Sequence, residues 1–163
     1  MRILVLGASG MLGNAMFRVM AHGGHHEVFG SARSASVKKF FAREAADNII
    51  TGIDVENSDA LARLISHVRP EAVINCIGLV KQLAEADDPL SALPINALLP
   101  HRLARLCELV RARLVHISTD CVFSGRKGDY LETDETDAQD LYGRSKLIGE
   151  VDYPHAVTLR TSI

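Results

Sequence analysis

Residues 140–150, with the sequence DLYGRSKLIGE, place a tyrosine and a lysine four residues apart on a predicted helix for which Asp140 is a candidate N-cap. At that spacing the side chains of Tyr142 and Lys146 lie one helical turn apart on the same face. A phenol has an ordinary pKa of about 10, and a neighbouring ammonium favours its ionised form and moves that pKa toward neutrality. The pair could therefore deliver a proton to a reacting group, although a core tyrosine beside a surface lysine is also common in helices that do no chemistry.

A second group of residues, near the amino terminus, could hold an anion. The segment RILVLGASGMLG is an apolar run that leads into three closely spaced glycines and then into apolar residues at helical spacing. It predicts a strand, a tight turn and a helix, in which the glycines permit the turn, the approach of backbone N–H groups to a pyrophosphate, and close helix packing. The positive end of the helix dipole would face the anion. The candidate dinucleotide contacts are Gly7, Ser9, Gly10, Met11, Leu12 and Gly13.

The segment after the second predicted strand indicates which dinucleotide is preferred. Forms of this fold that select NAD carry an acidic residue about 20 residues after the glycines, where it binds the ribose 2′-hydroxyl. Here the segment VFGSARSASVKK has no carboxylate, and Arg33 is available to pair with a 2′-phosphate. NADP(H) is therefore favoured, with NAD(H) as the alternative if Arg33 is solvated or stacks on the adenine.

The third predicted strand contributes another candidate contact. The sequence GIDVEN places Asp54 at the carboxyl end of that strand, where its carboxylate could accept a hydrogen bond from the adenine amino group. Its neighbour Val55 is included among the candidate cofactor contacts. An N-cap role for Asp54, or for Asn57, in the following helix is the competing interpretation.

The remaining elements must bring these groups together. Apolar runs predict further strands at residues 26–32, 48–55, 71–78, 112–119 and 155–163. Helical spacing predicts helices around residues 36–45, 61–68, 89–110 and 141–150. Because Pro94 and Pro100 interrupt the 89–110 helix, we expect a kink or a late start there. The alternation predicts an α/β fold, a doubly wound parallel sheet of strand order 3-2-1-4-5-6 with helices on both faces, which is the Rossmann arrangement.

Composition argues against several classes of function. The chain has 163 residues, of which 47% are hydrophobic and 23% charged, and its formal net charge is −2. That charge argues against a nucleic-acid partner or a polybasic membrane anchor. No apolar run approaches the roughly 20 residues of a membrane span, and a first strand beginning at residue 2 leaves no room for a signal peptide. The three cysteines lie far apart without a zinc-site spacing, so we predict no metal and a cytoplasmic setting.

Six stretches through nearly the whole chain carry a family resemblance: LGASGMLG, VINCIG, INALLPHRLA, HISTDCVFSG, YGRSK and LRTS. They resemble the extended short-chain dehydrogenase/reductase superfamily, and within it the dTDP-4-dehydrorhamnose reductase type of nucleotide-sugar reductase. The resemblance implies NADPH-dependent reduction of a 4-keto-deoxy nucleotide sugar, a step in making surface-polysaccharide deoxysugars. It implies that Tyr142 is the proton donor, that Lys146 is its electrostatic partner and binds the nicotinamide ribose, and that Thr119 hydrogen-bonds the substrate carbonyl oxygen. The lysine ammonium and the oxidised nicotinamide ring would together lower the Tyr142 pKa toward neutrality.

The resemblance also assigns roles to smaller residues around the cleft. Cys76, Ile77 and Gly78 match the end of the family's fourth strand, where the backbone lies against the cofactor ribose. Gly143 and Ser145 would let the cofactor approach the tyrosine helix closely.

Members of this family have a second, C-terminal lobe that contributes most of the nucleotide-sugar contacts. We therefore expect residues 1–163 to form one NAD(P)-binding Rossmann domain, with the substrate lobe absent from this chain. Such a domain alone should bind NADP(H) but turn over a nucleotide sugar poorly, and the resemblance leaves room for a homodimer. Two other hypotheses remain: an NAD-dependent nucleotide-sugar epimerase or dehydratase, and a non-catalytic, NADP-binding regulatory relative.

Overall fold

The computed structural model describes residues 1–82 and 84–162 as one sheet with helices on both faces. The strands are β1 (Arg2–Leu6), β2 (Glu27–Ala32), β3 (Ile49–Thr51), β4 (Ala72–Asn75), β5 (Arg113–Thr119) and β6 (Ala156–Thr161). The α-helices are α1 (Met11–His22), α2 (Arg43–Asp47), α3 (Ser58–Val68), α4 (Pro89–Ala92), α5 (Leu99–Val110) and α6 (Leu141–Ile148). Short 3₁₀ helices span Ala35–Phe40, Ala84–Asp87 and Asp120–Val122, and a π-helix spans Leu93–Leu98.

The strand order is β3-β2-β1-β4-β5-β6, and every pair of neighbouring strands is parallel, which confirms the predicted fold. In such a sheet the order reverses between β1 and β4, and the crevice at the carboxyl ends of these strands is the usual ligand site. The chain places four predicted groups along that edge: the glycine turn after β1, Arg33 after β2, Cys76 after β4, and Thr119 at the end of β5.

The core has two layers because the central strands are buried on both faces. Leu4 and Leu6 of β1 pack into a cluster with the apolar stripes of α3 and α5. Ile3 and Val5 point the other way and pack with Phe17 of α1. All five side chains are at most 5% exposed, as the continuous apolar run of a buried parallel strand predicts.

The predicted helix at residues 89–110 is divided into α4, the π-helix and α5. Pro94 lies in the first turn of the π-helix and Pro100 in the first turn of α5, so each proline, which lacks an N–H donor, stands where one type of helix follows another. The expected interruption is therefore present, and it takes the form of a wider helical turn.

Three other predicted elements differ in their bounds. β3 ends at Thr51 because Gly52 adopts a φ of +79°, so Asp54 lies in a turn before α3 and not at the end of the strand. β4 ends at Asn75, whose side-chain oxygen accepts a hydrogen bond from the Ile77 N–H at 3.1 Å and bends the chain out of the sheet. Residues 36–45 form a 3₁₀ helix and the start of α2, not one helix. The last residue of the predicted sixth strand, residue 163, lies outside the described residues.

Candidate functional site

The turn between β1 and α1 has the geometry that its glycines predict. Gly7 has a φ of +83°, and its carbonyl oxygen accepts a hydrogen bond from the Gly10 N–H at 2.9 Å. A Cβ atom at Gly13 would lie 2.1 Å from that same carbonyl oxygen. Helix α1 therefore approaches β1 more closely than a larger residue at position 13 would allow.

The N-terminus of α1 is open to an anion. Gly10 is its N-cap residue, and no side chain among the described residues caps it. The N–H groups of the first turn, which include those of Met11 and Leu12, have no intrahelical partners. Ser9, Gly10 and Met11 are exposed there and Leu12 is partly buried, so a phosphate could reach these groups.

Replacing Gly13 with alanine is expected to lower the free energy of unfolding by about 3 kcal/mol, the upper end of typical overpacking costs. The added methyl group would overlap a backbone oxygen that cannot rotate away, so strand and helix would have to separate. Gly10→Ala is the matched control, because its Cβ would have no neighbour closer than 3.5 Å and its φ of −79° suits alanine. Urea unfolding measures both variants, and equal midpoints would contradict the packing role of Gly13.

Arg33 lies directly after β2 at the carboxyl edge of the sheet, and its side chain is exposed. Its backbone is held in place, since its carbonyl oxygen accepts a hydrogen bond from the Gly52 N–H at 3.1 Å. The next residue, Ser34, caps the following 3₁₀ helix by accepting a hydrogen bond from the Ser36 N–H at 3.2 Å. The guanidinium thus starts from an ordered position and can extend toward a ligand on the edge.

Asp54 and Val55 occupy the turn that leads into α3. The Asp54 carboxylate accepts a hydrogen bond from the Glu56 N–H at 3.0 Å, so part of its hydrogen-bonding capacity serves the turn. The helix cap is Asn57, whose side chain accepts from the Ala60 N–H at 3.0 Å, so the cap role falls to Asn57 and not to Asp54. The Val55 side chain is buried in the core, which leaves only its backbone for a ligand contact.

Residues 76–78 connect the two ends of the cleft. A Cβ at Gly7 would lie 2.9 Å from Cγ1 of Ile77 and 3.4 Å from the Cys76 carbonyl oxygen, so this segment lies against the glycine turn. At its other end, a Cβ at Gly78 would lie 3.6 Å from the Lys146 ammonium nitrogen. Burial raises the pKa of the Cys76 thiol to about 11, so the thiol is protonated at neutral pH and is not a nucleophile.

The structure brings the three predicted catalytic residues together at the carboxyl end of β5. Thr119 ends the strand, and its Oγ1 accepts a hydrogen bond from the Cys121 N–H at 3.1 Å. The phenol of Tyr142, in the first turn of α6, lies close enough for the Thr119 hydroxyl to affect its pKa. Lys146, one turn later, is only 4% exposed, and its Nζ donates a hydrogen bond to the Ile117 carbonyl oxygen of β5 at 2.8 Å.

Helix α6 is fixed at its first turn by charges and close packing. Asp140 is the N-cap, as predicted, and its carboxylate accepts a hydrogen bond from the Gly143 N–H at 2.7 Å. The other oxygen of that carboxylate pairs with the Lys81 ammonium at 2.7 Å, across the cleft from α6. A Cβ at Gly143 would lie 2.4 Å from the Cys121 carbonyl oxygen, so α6 packs directly on the segment that follows Thr119.

The prediction that Gly143 and Ser145 make room for the cofactor is wrong. Gly143 is buried against the segment after β5, as its contact with Cys121 shows. Ser145 is fully buried, and its Oγ donates to the Tyr142 carbonyl oxygen at 2.8 Å and accepts from the Asn96 side chain at 3.2 Å. Both small residues therefore seat α6 against the rest of the protein.

Lys146 by itself does not lower the Tyr142 pKa toward neutrality. Burial raises the pKa of Tyr142 above its ordinary value, the Thr119 hydroxyl opposes that rise, and the Asp120 and Asp140 carboxylates add to it. Burial also lowers the pKa of Lys146 to about 8, against the smaller raising effect of Glu150. The Lys146 ammonium points at the Ile117 carbonyl group. At Tyr142, the cost of burying a charged phenolate is therefore the larger effect, and it raises the pKa.

One buried polar pair behind the site was not anticipated from the sequence. The Asn75 amide donates a hydrogen bond to Nδ1 of His116 at 3.1 Å, so that ring nitrogen is an acceptor and the imidazole is neutral. Burial lowers the pKa of His116 to about 3, which keeps it neutral at physiological pH. The signal that could have found the pair is a polar residue beside apolar ones in each strand, since Asn75 ends the apolar β4 and His116 lies between Val115 and Ile117 in β5.

A broad cavity of about 1510 Å³ opens beside Asp120 and Cys121, the two residues that follow Thr119. Its walls are the segment after β5, the Lys81–Asp140 pair, and the exposed side of β6, including Val157 and Leu159. Pockets for small molecules commonly occupy about 300–1,000 Å³, so there is space for a bulky ligand next to the segment that follows Thr119 and next to Asp140, the N-cap of α6.

Membrane-spanning and metal-binding features are both lacking among the described residues. None of the helices there combines the length and the apolar character needed to cross a membrane. Nor do residues 1–82 and 84–162 group three or more His, Cys, Asp or Glu side chains in a way that could hold a metal ion.

The chain is similar in sequence to one protein family and to several known proteins. The family model described as RmlD substrate binding domain matches residues 1–163. The dTDP-4-dehydrorhamnose reductase of Mycolicibacterium smegmatis is 32% identical over 167 residues, an alignment covering 99% of this chain and 45% of that protein. Methionine adenosyltransferase 2 subunit beta of Rattus norvegicus is 28% identical over 149 residues, covering 91% of this chain and 41% of that protein.

The fold similarity extends to a solved structure. The crystal structure of a hypothetical dTDP-4-dehydrorhamnose reductase from Sulfolobus tokodaii superimposes with a TM-score of 0.83 at 29% identity, covering 98% of this chain and 55% of that one. The chain spans less than half the length of the two curated relatives.

Proposed function

The chain belongs to the RmlD substrate binding domain family, and from this premise we propose that it is the cofactor-binding part of an NADPH-dependent reductase acting on a 4-keto-deoxy nucleotide sugar. One observation carries the proposal. Thr119, Tyr142 and Lys146 converge at the end of β5, and residues 76–78 connect them directly to the glycine turn. A dinucleotide lying along this edge would have its pyrophosphate at one end and its reactive ring at the other.

The residues of the edge fit such a dinucleotide. The uncapped N-terminus of α1 offers backbone N–H groups to the pyrophosphate, and Gly10 leaves space for it to approach. Arg33 provides an exposed guanidinium where the adenosine ribose would lie, with no carboxylate in the segment 28–39 to repel a 2′-phosphate. Asp54 could accept from the adenine amino group through the oxygen that the turn does not use.

The chain's own groups can complete a ketone reduction. A bound nicotinamide would supply the hydride to the carbonyl carbon. The Thr119 hydroxyl, which now donates to the Asp120 carboxylate at 3.3 Å, would turn to donate to the carbonyl oxygen. Tyr142 would then transfer its phenolic proton to that oxygen as the alcohol forms. Its raised pKa keeps the phenol protonated at neutral pH, which is the form that a proton donor needs.

Arg33→Ala is expected to weaken NADPH binding about 10- to 100-fold, the loss of a charge-assisted hydrogen bond of roughly 1.5–3 kcal/mol, and to leave NADH binding unchanged. Titration of the intrinsic fluorescence of each reduced dinucleotide measures both affinities. Arg102→Ala, which removes an exposed arginine of α5, is the matched control and should bind both dinucleotides as the original chain does. Equal losses for NADPH and NADH, or no loss at all, would contradict the assignment of Arg33 to the 2′-phosphate.

A second candidate function is favoured by the similarity to a methionine adenosyltransferase subunit. In that case the chain would bind NADP(H) and serve another enzyme without turning over a substrate. The presence of Thr119, Tyr142 and Lys146 favours the reductase, because a regulatory subunit needs no proton donor. An epimerase or dehydratase would hold NAD⁺ tightly, and Arg33 favours NADP(H) over it.

One assay separates the three hypotheses. The longest natural polypeptide containing these residues is purified, its bound nucleotide is extracted, and NADPH absorbance is followed after addition of a dTDP-4-keto-6-deoxyhexose. A reductase consumes NADPH. Binding of NADPH without consumption indicates the regulatory relative, and co-purified NAD⁺ indicates the epimerase or dehydratase.

A further inference from the structure

The Glu150 carboxylate, just beyond the end of α6, is fixed to β5 and β6. Its Oε1 accepts hydrogen bonds from the Ser118 hydroxyl and from Nε of Arg160, both at 2.9 Å. Its Oε2 accepts from Nη2 of Arg160 at 2.8 Å, so the guanidinium is bound at two points. The Glu150 and Arg160 side chains are only 15% and 24% exposed, which makes the pair far more persistent than an ion pair in open solvent.

This carboxylate joins the two elements that carry the proposed catalytic residues. Ser118 and Arg160 are direct partners across β5 and β6, and Ser118 immediately precedes Thr119. Glu150 follows Lys146 by four residues. Between them, a Cβ at Gly149 would lie 2.0 Å from the Asn96 carbonyl oxygen, so the end of α6 is pressed against the π-helix and cannot shift along it.

Glu150 also offsets part of the cost of burying the Lys146 ammonium. The Lys146 side chain is almost entirely buried, and its Nζ donates to a neutral carbonyl group, that of Ile117. His116 on β5, whose pKa Lys146 helps to lower, stays neutral, and Tyr142, one turn earlier on α6, stays protonated because burial raises its pKa. Glu150 raises the pKa of Lys146 and thereby favours the charged form of the lysine.

We infer that Glu150 is a positioning residue for the Tyr142–Lys146 pair. With Arg160 and Ser118 it fixes the end of α6 against the edge of the sheet, and it acts as the counter-charge of the buried Lys146 ammonium. The role given to Lys146 rests on the proposed function. The contacts of Glu150 and the state of the lysine charge do not, so they can be tested without a substrate.

The test measures the titration of Lys146 by NMR of the chain labelled with ¹³C at lysine Cε. The chain has five lysines, at positions 38, 39, 81, 127 and 146, and a Lys146→Met sample identifies the signal of Lys146. Glu150→Gln preserves the shape and removes the charge, and we expect it to lower the Lys146 pKa by roughly one unit or more. Asp152→Asn is the matched control, since it removes an exposed carboxylate two residues further on and should leave that pKa unchanged.

Arg160→Gln provides a second variant with the opposite expected sign. It removes the guanidinium that shares the Glu150 charge, so the Lys146 pKa should rise, and this result can be obtained even if Glu150→Gln does not fold. No change in either variant, or shifts of the same sign in both, would overturn the inference. Failure of the original chain to bind NADPH, measured on the same samples, would count against the proposed function and would leave the Lys146 titration as a valid test of Glu150.

Discussion

Replacing Tyr142 with phenylalanine is expected to reduce the rate of NADPH-dependent ketone reduction by roughly 10²- to 10⁴-fold, the range that a positioned general acid contributes. The variant keeps the ring and loses only the hydroxyl group that Thr119 faces. Without it, the developing alkoxide would have to take its proton from water. NADPH affinity should be retained, because the glycine turn and Arg33 lie elsewhere along the edge. The measurement is NADPH consumption by the longest natural polypeptide containing these residues, at saturating nucleotide sugar, with affinity from a separate fluorescence titration.

Tyr153→Phe is the matched control for this experiment. The Tyr153 hydroxyl forms a hydrogen bond with Nδ1 of His101 at 3.1 Å. Tyr153 lies just before the start of β6, whereas Thr119 pairs with Thr161 at the other end of that strand. Losing that hydroxyl should cost only about 1 kcal/mol of stability and should leave the rate unchanged. A Tyr142→Phe protein that reduces substrate at the original rate would remove Tyr142 from the mechanism.

The pH dependence of the reduction depends on the same groups. The proton donor must carry its proton, and because the pKa of Tyr142 is raised, that condition holds through neutral and mildly alkaline pH. Lys146 loses its charge earlier, with a pKa of about 8. The first fall in rate on raising the pH should therefore come from Lys146, ahead of the loss of the tyrosine proton.

The sheet and the cleft could be predicted because their signals are local. An apolar strand leading into Gly7, Gly10 and Gly13 specifies the tight turn and the helix after β1, and the alternation of strands and helices predicts a parallel sheet of the kind observed. The four-residue spacing of Tyr142 and Lys146 predicts that they share one face of a helix, and both residues lie in α6 at that spacing.

The predictions that failed depended on contacts between residues distant in the sequence. Gly143 suggested space for a ligand, but the space left by its missing side chain is taken by the Cys121 carbonyl group. The lysine one turn away was expected to help a nicotinamide ring lower the Tyr142 pKa, yet among the groups of the chain burial and the Asp120 and Asp140 carboxylates set the direction of its pKa shift. Spacing along one helix contains no information about which strand or loop packs on it.

Replacing Lys146 with methionine is expected to abolish most turnover and, at neutral pH, to make the protein more stable. Burial lowers the pKa of Lys146 from 10.5 to about 8. At pH 7 the native state therefore keeps an ammonium that is disfavoured by up to roughly 3 kcal/mol relative to the unfolded chain. Methionine removes that cost and loses a hydrogen bond to Ile117 worth about 1 kcal/mol. A net gain of about 2 kcal/mol in unfolding free energy should result.

The difference between the two proteins must shrink as the pH rises. Between pH 8 and 10.5 the unfolded chain binds more protons at Lys146 than the native state does, so the original protein gains stability in this window and the variant does not. Cys76 and Cys107, whose pKa values burial raises to about 11 and about 12, titrate alike in both proteins and cancel in the difference. Urea unfolding at pH 7 and pH 10 measures the effect, with Lys39→Met as the exposed control. A variant less stable than the original at pH 7 would show that the ammonium stabilises the fold. The opposite result would mean that this buried charge persists at the cleft despite its cost to stability, as expected of a group that serves chemistry and not folding.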